Sequence, residues 1–170
     1  AKGRELKDKI GNECFTSSTI GQPGINDDAF VLMALLATGE NTNNQIIQTA
    51  INTIKADQQN NGAFTWNGWP SQDITGAAVN ALKYAQIQGV LIDNSIFQKA
   101  TDYLKSSQLS DGGWGFATSS DALTTSWVMY GINSLGQGQM EWTNSQNNNP
   151  WSVLLANVNS NGYYETPWSA

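Results

Sequence analysis

The sequence predicts an all-α protein made of about three helical-pair repeats with a period of about 50 residues. Residues 46–66 align with residues 96–116 without a gap, at an offset of 50. Two kinds of helix alternate along the chain, one apolar on nearly every side and the other amphipathic. Each amphipathic helix is followed by a glycine-containing turn and then by an aromatic residue. These observations favour one repeat domain over residues 1–170.

The internal repeat is carried by residues of several types that agree in register. A third copy follows the two aligned segments, and upstream Ala34-Leu35 resembles Ala81-Leu82 at an offset of 47. Agreement among amide, glycine and aromatic positions indicates that the copies share one backbone geometry. The positions predicted to be equivalent are Gln58 with Gln108, Gly62 with Gly112 and Gly162, and Phe64 with Trp114 and Tyr164.

The first helix of each pair, called here the inner helix, is predicted to begin at an acidic residue. Asp27-Asp28, Asp73 and Asp121 stand at these starts. An aspartate at a helix start accepts backbone N–H bonds and suits the positive end of the helix dipole. The segments that follow are apolar almost all round, so these helices are expected to be buried on every side.

The second helix, called here the outer helix, is predicted to have one exposed side. Its apolar residues recur at i, i+3, i+4 and i+7, as at Ile47, Ala50, Ile51 and Ile54. The glycine turn that ends it supplies a left-handed backbone conformation. Residues 1–10 are predicted to form a further short helix and residues 136–150 a polar loop, and no strand is predicted.

The composition excludes several functions. The net charge is −6, and four of the eight basic residues lie in the first nine positions, so the rest of the chain repels nucleic acid and anionic membranes. The chain has no histidine and one cysteine, Cys14, which excludes His-dependent catalysis and an intrachain disulfide. No apolar run approaches the roughly 20 residues of a membrane span. Low lysine content and acidity favour an exported bacterial protein, outside the cell or on its surface.

Two segments resemble a known repeat family. Phe97–Phe116, followed by Asp121–Ile132, is similar to the prenyltransferase and squalene-oxidase repeat. The spacing Gln108-x-x-x-Gly112-x-Trp114 resembles the QW motif of terpenoid cyclases. The resemblance covers residues 27–166. The segments most similar to exported bacterial members of unknown function are Ser71–Leu82 and Ser126–Leu135.

The resemblance implies an α/α toroid, in which inner helices ring a central cavity and outer helices surround them. It also implies that Gln58, Phe64, Gln108 and Trp114 are structural and tie successive outer helices together. A closed toroid of this kind needs about twelve helices, and this chain has room for about half of them. We therefore expect a partial toroid whose exposed inner helices are covered by self-association, by more of a larger protein, or by the chain's own ends.

The resemblance supplies one candidate catalytic residue. Protonating terpenoid cyclases carry an Asp-x-Asp-Asp-Thr stretch, of which Ser71–Thr75 keeps only the middle acid, Asp73. Asp73 is thus a candidate acid only if the chain is a divergent cyclase or prenyltransferase-like enzyme fragment, and otherwise a helix cap. The zinc site of protein prenyltransferases needs a histidine and the thioester motif of complement-type domains a cysteine within the toroid. Neither is present, and no metal or cofactor is predicted.

Aromatic and acidic residues near the starts of the inner helices are the candidate ligand-binding residues. Indole rings beside carboxylates and amides suit a sugar or a small apolar ligand. The function predicted is a non-catalytic binding or interaction module. The alternatives are the enzyme fragment, carbohydrate binding or hydrolysis, and a cobalamin-type carrier. The candidate ligand-binding residues are Asp28, Trp66, Trp69, Asp73, Asp121 and Trp127.

Overall fold

A computed structural model describes residues 20–164 of the protein. The predicted helix in residues 1–10 and Cys14 lie outside the described residues. The elements, in chain order, are α1 (Asn26–Ala37), α2 (Gln45–Asp57), β1 (Phe64–Trp66), β2 (Trp69–Ser71), α3 (Gln72–Ile87), α4 (Asn94–Ser106), α5 (Ala122–Ser134), a 3-10 helix (Met140–Trp142) and α6 (Pro150–Ala156). The all-α, toroid-like fold class is confirmed, because helices carry the architecture and alternate as the repeat predicts.

The inner helices α1, α3 and α5 pack side by side, with α3 between the other two. The outer helices α2, α4 and α6 pack against α1, α3 and α5 respectively. The closest approach is between α3 and α5, where a Cβ added to Gly76 would lie 2.3 Å from the Trp127 carbonyl oxygen. A Cβ on Gly131 would lie 2.6 Å from the Gly76 carbonyl oxygen. These two glycines therefore let the inner-helix backbones touch.

The turn glycines perform the same structural role in the first two repeats. Gly62 and Gly112 have positive φ angles of 91° and 93°. A Cβ on Gly62 would lie 2.0 Å from the Lys99 carbonyl oxygen in α4, and one on Gly112 would lie 2.4 Å from the Asn149 amide nitrogen at the start of α6. Only glycine fits both the conformation and the contact with the next outer helix.

The glutamines at equivalent positions of the first two repeats join each turn to the element that follows it. Gln58 donates from Nε2 to the carbonyl oxygens of Gly62 (3.2 Å) and Ile96 (2.9 Å). Gln108 donates from Nε2 to those of Gly112 (2.9 Å) and Trp142 (2.9 Å). Each amide thus closes its own turn and holds it to the element that follows.

The aromatic residues after these turns are buried, and the backbone N–H of each makes the same kind of hydrogen bond. Phe64 and Trp114 are both 0% exposed. Their backbone N–H groups donate to the hydroxyls of Thr75 and Thr125, each at 3.0 Å. The equivalent residue of the third copy, Tyr164, is instead 52% exposed.

The expectation that the chain has no strand is wrong. β1 and β2 form an antiparallel hairpin in which Trp66 pairs with Trp69. The two residues between them, Asn67 and Gly68, have φ angles of 50° and 83°. Asn-Gly is the sequence most typical of such a two-residue turn, but strands of three residues are too short to show an alternating pattern.

Two further expectations need correction. Residues 136–150 are more than a polar loop, because they contain a 3-10 helix whose Trp142 is 1% exposed and packs edge-on to Trp114 at 5.5 Å. The first inner helix is not capped by an aspartate, since Ile25 stands at the N-cap and Asp27 and Asp28 lie in the first turn. At α3 the N-cap is Ser71, and Asp73 follows in the first turn.

Candidate ligand-binding cleft

A cleft of about 610 Å³ lies at the end of the array where α3 and α5 begin. It holds four of the six residues that the sequence analysis selected for ligand binding: Trp66, Trp69, Asp73 and Asp121. They converge because the inner helices start at the same end of the array, and the loops leading into them meet there. The other lining residues are Asn26, Pro70, Ser71, Gln72, Ile74, Gly115, Phe116, Leu123 and Thr124.

Three exposed aromatic rings line the cleft. Trp66 and Trp69 come from the hairpin and are 52% and 77% exposed. Phe116, which stands at the repeat position equivalent to Trp66, comes from the next loop and is 92% exposed. In β1, Phe64 and Thr65 are buried and Trp66 is exposed, so the hairpin leaves the core at Trp66. The repeat thus produces one buried and one exposed aromatic in each of its first two copies.

Asp73 is held by the start of its own helix. Its Oδ1 accepts hydrogen bonds from the Ile74 backbone N–H, at 2.9 Å, and from the Ser71 hydroxyl. Its Oδ2 accepts no hydrogen bond within residues 20–164. One carboxylate oxygen therefore remains available to a ligand in the cleft.

Asp121 is the N-cap of α5 and uses both of its oxygens there. Oδ1 accepts from the Thr124 backbone N–H at 2.8 Å, and Oδ2 accepts from the Thr124 hydroxyl at 2.9 Å. These bonds satisfy helix-terminal groups that would otherwise be unpaired. Asp121 therefore lines the cleft, but both of its carboxylate oxygens are already hydrogen-bonded to Thr124.

Two amide side chains add free polar groups. Asn26 and Gln72 make no side-chain hydrogen bond with the described residues. An amide can both donate and accept, as a sugar hydroxyl can. The residues that line the cleft include two carboxylates and no lysine or arginine, so its field disfavours anions.

Trp127 lies next to the cleft and not in it. It lines a small pocket of about 70 Å³ together with Asp73 and residues from all three inner helices. Its ring packs edge-on to Phe30 at 5.2 Å and to Tyr130 at 6.0 Å. Trp127 is therefore part of an aromatic cluster on the face that the inner helices share.

Asp28 does not line the cleft. It is 0% exposed, and its Oδ1 accepts a hydrogen bond from the Gly21 backbone N–H at 3.0 Å. Its Oδ2 has no hydrogen-bond partner within the described part of the chain. Burial raises the pKa of Asp28 to about 6, with a smaller contribution from the charge of Asp27. This carboxyl belongs to the core beneath the start of α1.

Several residues of the cleft were not predicted from the sequence. Phe116 lies within the segment that was assigned to the repeat motif. The repeat could have identified it, because Phe116 follows Trp114 by two residues as Trp66 follows Phe64. Asn26 and Gln72 carry no motif, because single amides in a chain rich in them are not distinctive. Their role depends on how the helix starts are brought together.

A family model described as the squalene-hopene cyclase C-terminal domain matches residues 14–162. The chain belongs to this family. The match agrees with the alternation of inner and outer helices and with the terpenoid cyclase-like fold. No curated protein matches the chain significantly.

Two further properties of the described residues bear on function. No helix between residues 20 and 164 is long and apolar enough to cross a membrane. In the same part of the chain, no group of three or more His, Cys, Asp or Glu side chains could hold a metal ion.

Proposed function

We propose that the protein is a non-catalytic binding module and that its cleft takes a neutral carbohydrate. The observation that carries this proposal is the convergence of exposed aromatic rings and unpaired polar groups in one cleft, formed by Trp66, Trp69, Asn26, Gln72 and Asp73. The volume of about 610 Å³ lies within the range of roughly 300–1,000 Å³ typical of ligand pockets.

The chemistry of the cleft matches that of a sugar. The faces of the Trp66 and Trp69 indoles offer flat apolar surfaces against which the C–H groups of a pyranose ring can stack. The amides of Asn26 and Gln72 can donate to and accept from hydroxyls, and Oδ2 of Asp73 can accept. A charged anion would meet the carboxylates of the cleft and no cation, which favours a neutral ligand.

The absence of catalysis is supported by how the acids are used. A glycosidase needs two carboxyl groups, one to donate a proton and one to act as nucleophile or base. Both oxygens of Asp121 bind Thr124, and Asp73 retains one free oxygen. This arrangement leaves one available carboxylate oxygen where hydrolysis requires two working groups.

The cyclase alternative is less well supported. Asp73 lacks the flanking acids of the family motif, and its Oδ1 accepts a hydrogen bond from the Ile74 backbone N–H at the start of α3. The pocket that it shares with Trp127 has a volume of about 70 Å³, far below the roughly 300 Å³ of small ligand pockets. A polyprenyl chain would have to lie outside that pocket.

We further propose that the module works outside the cell or on its surface. The low lysine content, the acidic balance and the resemblance of Ser71–Leu82 and Ser126–Leu135 to exported bacterial members support this location. Neutral glycans are abundant there, which is consistent with the proposed ligand.

The proposal is tested by titrating the protein with a panel of neutral oligosaccharides in a calorimeter. At least one glycan should bind, and Trp69→Ala should weaken its binding by about tenfold or more, since a stacked aromatic contributes roughly 1–2 kcal/mol. Leu91→Ala, at a residue 95% exposed and outside the cleft, is the matched control and should bind as the native protein does.

Two results would contradict this function. One is that no glycan in the panel binds, or that binding is unchanged by both Trp66→Ala and Trp69→Ala. The other is that the purified protein converts a polyprenyl substrate and loses that activity with Asp73→Asn, which would establish the enzyme alternative.

A further inference from the structure

The chain contains three Asn-Gly steps, and the fold places them in different surroundings. They are Asn61-Gly62, Asn67-Gly68 and Asn161-Gly162. Such a step is chemically labile, because glycine has no side chain to keep its backbone nitrogen away from the asparagine side-chain amide. Whether a step reacts in the folded protein depends on whether that nitrogen and that amide are free to meet.

In two of these steps the glycine N–H is already hydrogen-bonded within its turn. Gly62 donates to the Gln59 carbonyl oxygen and Gly162 to the Asn159 carbonyl oxygen, each at 2.9 Å. Each hydrogen bond holds the nitrogen that would have to attack. Reaction at these two steps therefore requires the turn to open first.

The first of these two steps is held by further contacts. Asn61 Oδ1 accepts a hydrogen bond from the Ala63 backbone N–H at 3.1 Å. Gly62 is buried, and a Cβ added to it would lie 2.0 Å from the Lys99 carbonyl oxygen of α4. This step consequently has neither an unengaged side-chain amide nor room to change conformation.

The step at the tip of the β1–β2 hairpin lacks each of these restraints. Asn67 and Gly68 are both exposed. Neither the Asn67 side chain nor the Gly68 N–H makes a hydrogen bond with a described residue. No described atom lies within 4 Å of a Cβ added to Gly68, so the turn has room to rearrange.

We propose that Asn67-Gly68 is a self-modification site at which the protein deamidates spontaneously. The Gly68 nitrogen gives up its proton to hydroxide and attacks Cγ of Asn67, and the new C–N bond closes a succinimide ring. The bond from Cγ to Nδ2 breaks, and the amide nitrogen takes a proton from water and leaves as ammonia. Water then opens the ring at either carbonyl carbon. The net reaction consumes water, releases ammonia and replaces the side-chain amide by a carboxylate.

The two products affect the hairpin differently. Opening at the side-chain carbonyl gives aspartate in a normal backbone, and Asp-Gly suits the same two-residue turn. Opening at the main-chain carbonyl gives isoaspartate, whose backbone runs through the former side chain and is longer by a methylene group. The pairing of Trp66 with Trp69 depends on the length of the loop between them, so isoaspartate should displace both indoles.

The modification therefore acts on the cleft, a consequence that rests on the proposed carbohydrate function. Trp66 and Trp69 line the cleft, whose lining includes two carboxylates and no lysine or arginine. Either product adds a negative charge beside these rings, and isoaspartate also moves them. Deamidation should weaken glycan binding, and the isoaspartate form should be the weaker binder of the two.

Peptide mass spectrometry of the 170-residue chain during incubation in mildly alkaline buffer tests the chemical step. The peptide that contains Asn67 should deamidate about tenfold faster than those that contain Asn61 or Asn161, because breaking the glycine hydrogen bonds adds to the barrier. Incubation in concentrated urea is the matched control, in which the three steps are all unfolded and should react at similar rates. Equal rates in the folded protein, or a preference for Asn67 that persists in urea, would overturn the proposal.

A second measurement tests the effect on the hairpin. Chromatography separates the two products, and nuclear magnetic resonance compares their tryptophan indole N–H signals with those of the native protein. The signals of Trp66 and Trp69 should move most in the isoaspartate form, whereas the buried Trp114 should not respond. Asn67→Asp supplies the aspartate product with a normal backbone and should perturb the hairpin less.

The outcomes separate this proposal from the carbohydrate proposal. Unchanged Trp66 and Trp69 signals in the isoaspartate form would overturn the effect on the hairpin, and unweakened glycan binding by that form would overturn the effect on the cleft. The deamidation rates do not depend on whether the cleft binds a glycan. Failure of the proposed function therefore leaves the modification decided by the mass spectra.

Discussion

The second and third glycine turns have nearly the same backbone but different surroundings. At the second turn, Gly112 meets the backbone of Asn149 and Trp114 is 0% exposed. At the third, a Cβ added to Gly162 would contact no described residue, and Tyr164 is 52% exposed. The turn is therefore a local structure that the sequence forms by itself, whereas burial of its aromatic residue depends on the repeat that follows.

The largest expected difference between the two turns is at the aromatic position. Trp114→Ala should lower the free energy of unfolding by about 3–5 kcal/mol, because it leaves a core cavity and removes the bond from Nε1 to the Leu104 carbonyl oxygen. Tyr164→Ala should change it by less than about 0.5 kcal/mol. Urea denaturation at one protein concentration measures the free energy of unfolding of both variants. Equal losses would contradict the expected difference between the two turns.

The first repeat differs from the other two in having a buried carboxyl, that of Asp28, beneath the start of its inner helix α1. Its pKa is raised from 3.8 to about 6, so the folded state holds a proton that the unfolded state has lost in that interval. The contribution of Asp28 is thus most favourable below pH 4 and is lost as the pH rises through about 6. Relative to Asp28→Asn, the native protein should lose up to about 3 kcal/mol over this range.

Denaturation of the native protein and of Asp28→Asn at several pH values measures that loss. Asn keeps the shape of the side chain and does not titrate, so the difference between the two curves isolates this carboxyl. A difference that stays constant between pH 4 and pH 7 would contradict the raised pKa.

The glycines themselves should differ in the same direction. Gly112→Ala places a methyl group on the Asn149 backbone and strains the turn, which should destabilise the protein by about 2–3 kcal/mol. Gly162→Ala should cost about 1 kcal/mol, because only the backbone strain remains. Thermal unfolding of the two variants checks the order, which should hold under conditions where the protein is monomeric.

The smallest effect is expected at the bridging glutamine. Gln108→Ala removes hydrogen bonds to the carbonyl oxygens of Gly112 and Trp142 and should cost about 1–2 kcal/mol. The equivalent residue of the third copy is Val158, which has no amide to lose. A loss of stability smaller than that of Val158→Ala would show that the bridge contributes little.

Much of the fold could be predicted because it repeats. Gly62, Gly112 and their aromatic partners agree in type at a fixed offset, so the pattern reports the same packing more than once. The hairpin and the buried Trp142 have no equivalent in the other copies and no long periodic pattern. Sequence periodicity therefore gave no signal for them.

The cleft could be predicted only in part. Trp66, Trp69, Asp73 and Asp121 were identifiable because aromatic and acidic residues at helix starts are distinctive. Asp28, like Asp73, lies in the first turn of an inner helix, but Asp28 is buried and accepts a hydrogen bond from the Gly21 backbone N–H. Such a difference depends on tertiary packing, which neither composition nor spacing reports.

The proposed function is tested most directly by nuclear magnetic resonance of the tryptophan indole N–H groups during titration with the glycan that binds most tightly. The signals of Trp66 and Trp69 should shift saturably, while that of the buried Trp114 should stay in place. Absence of any shift at Trp66 and Trp69, or shifts confined to Trp127, would contradict a carbohydrate site in the cleft.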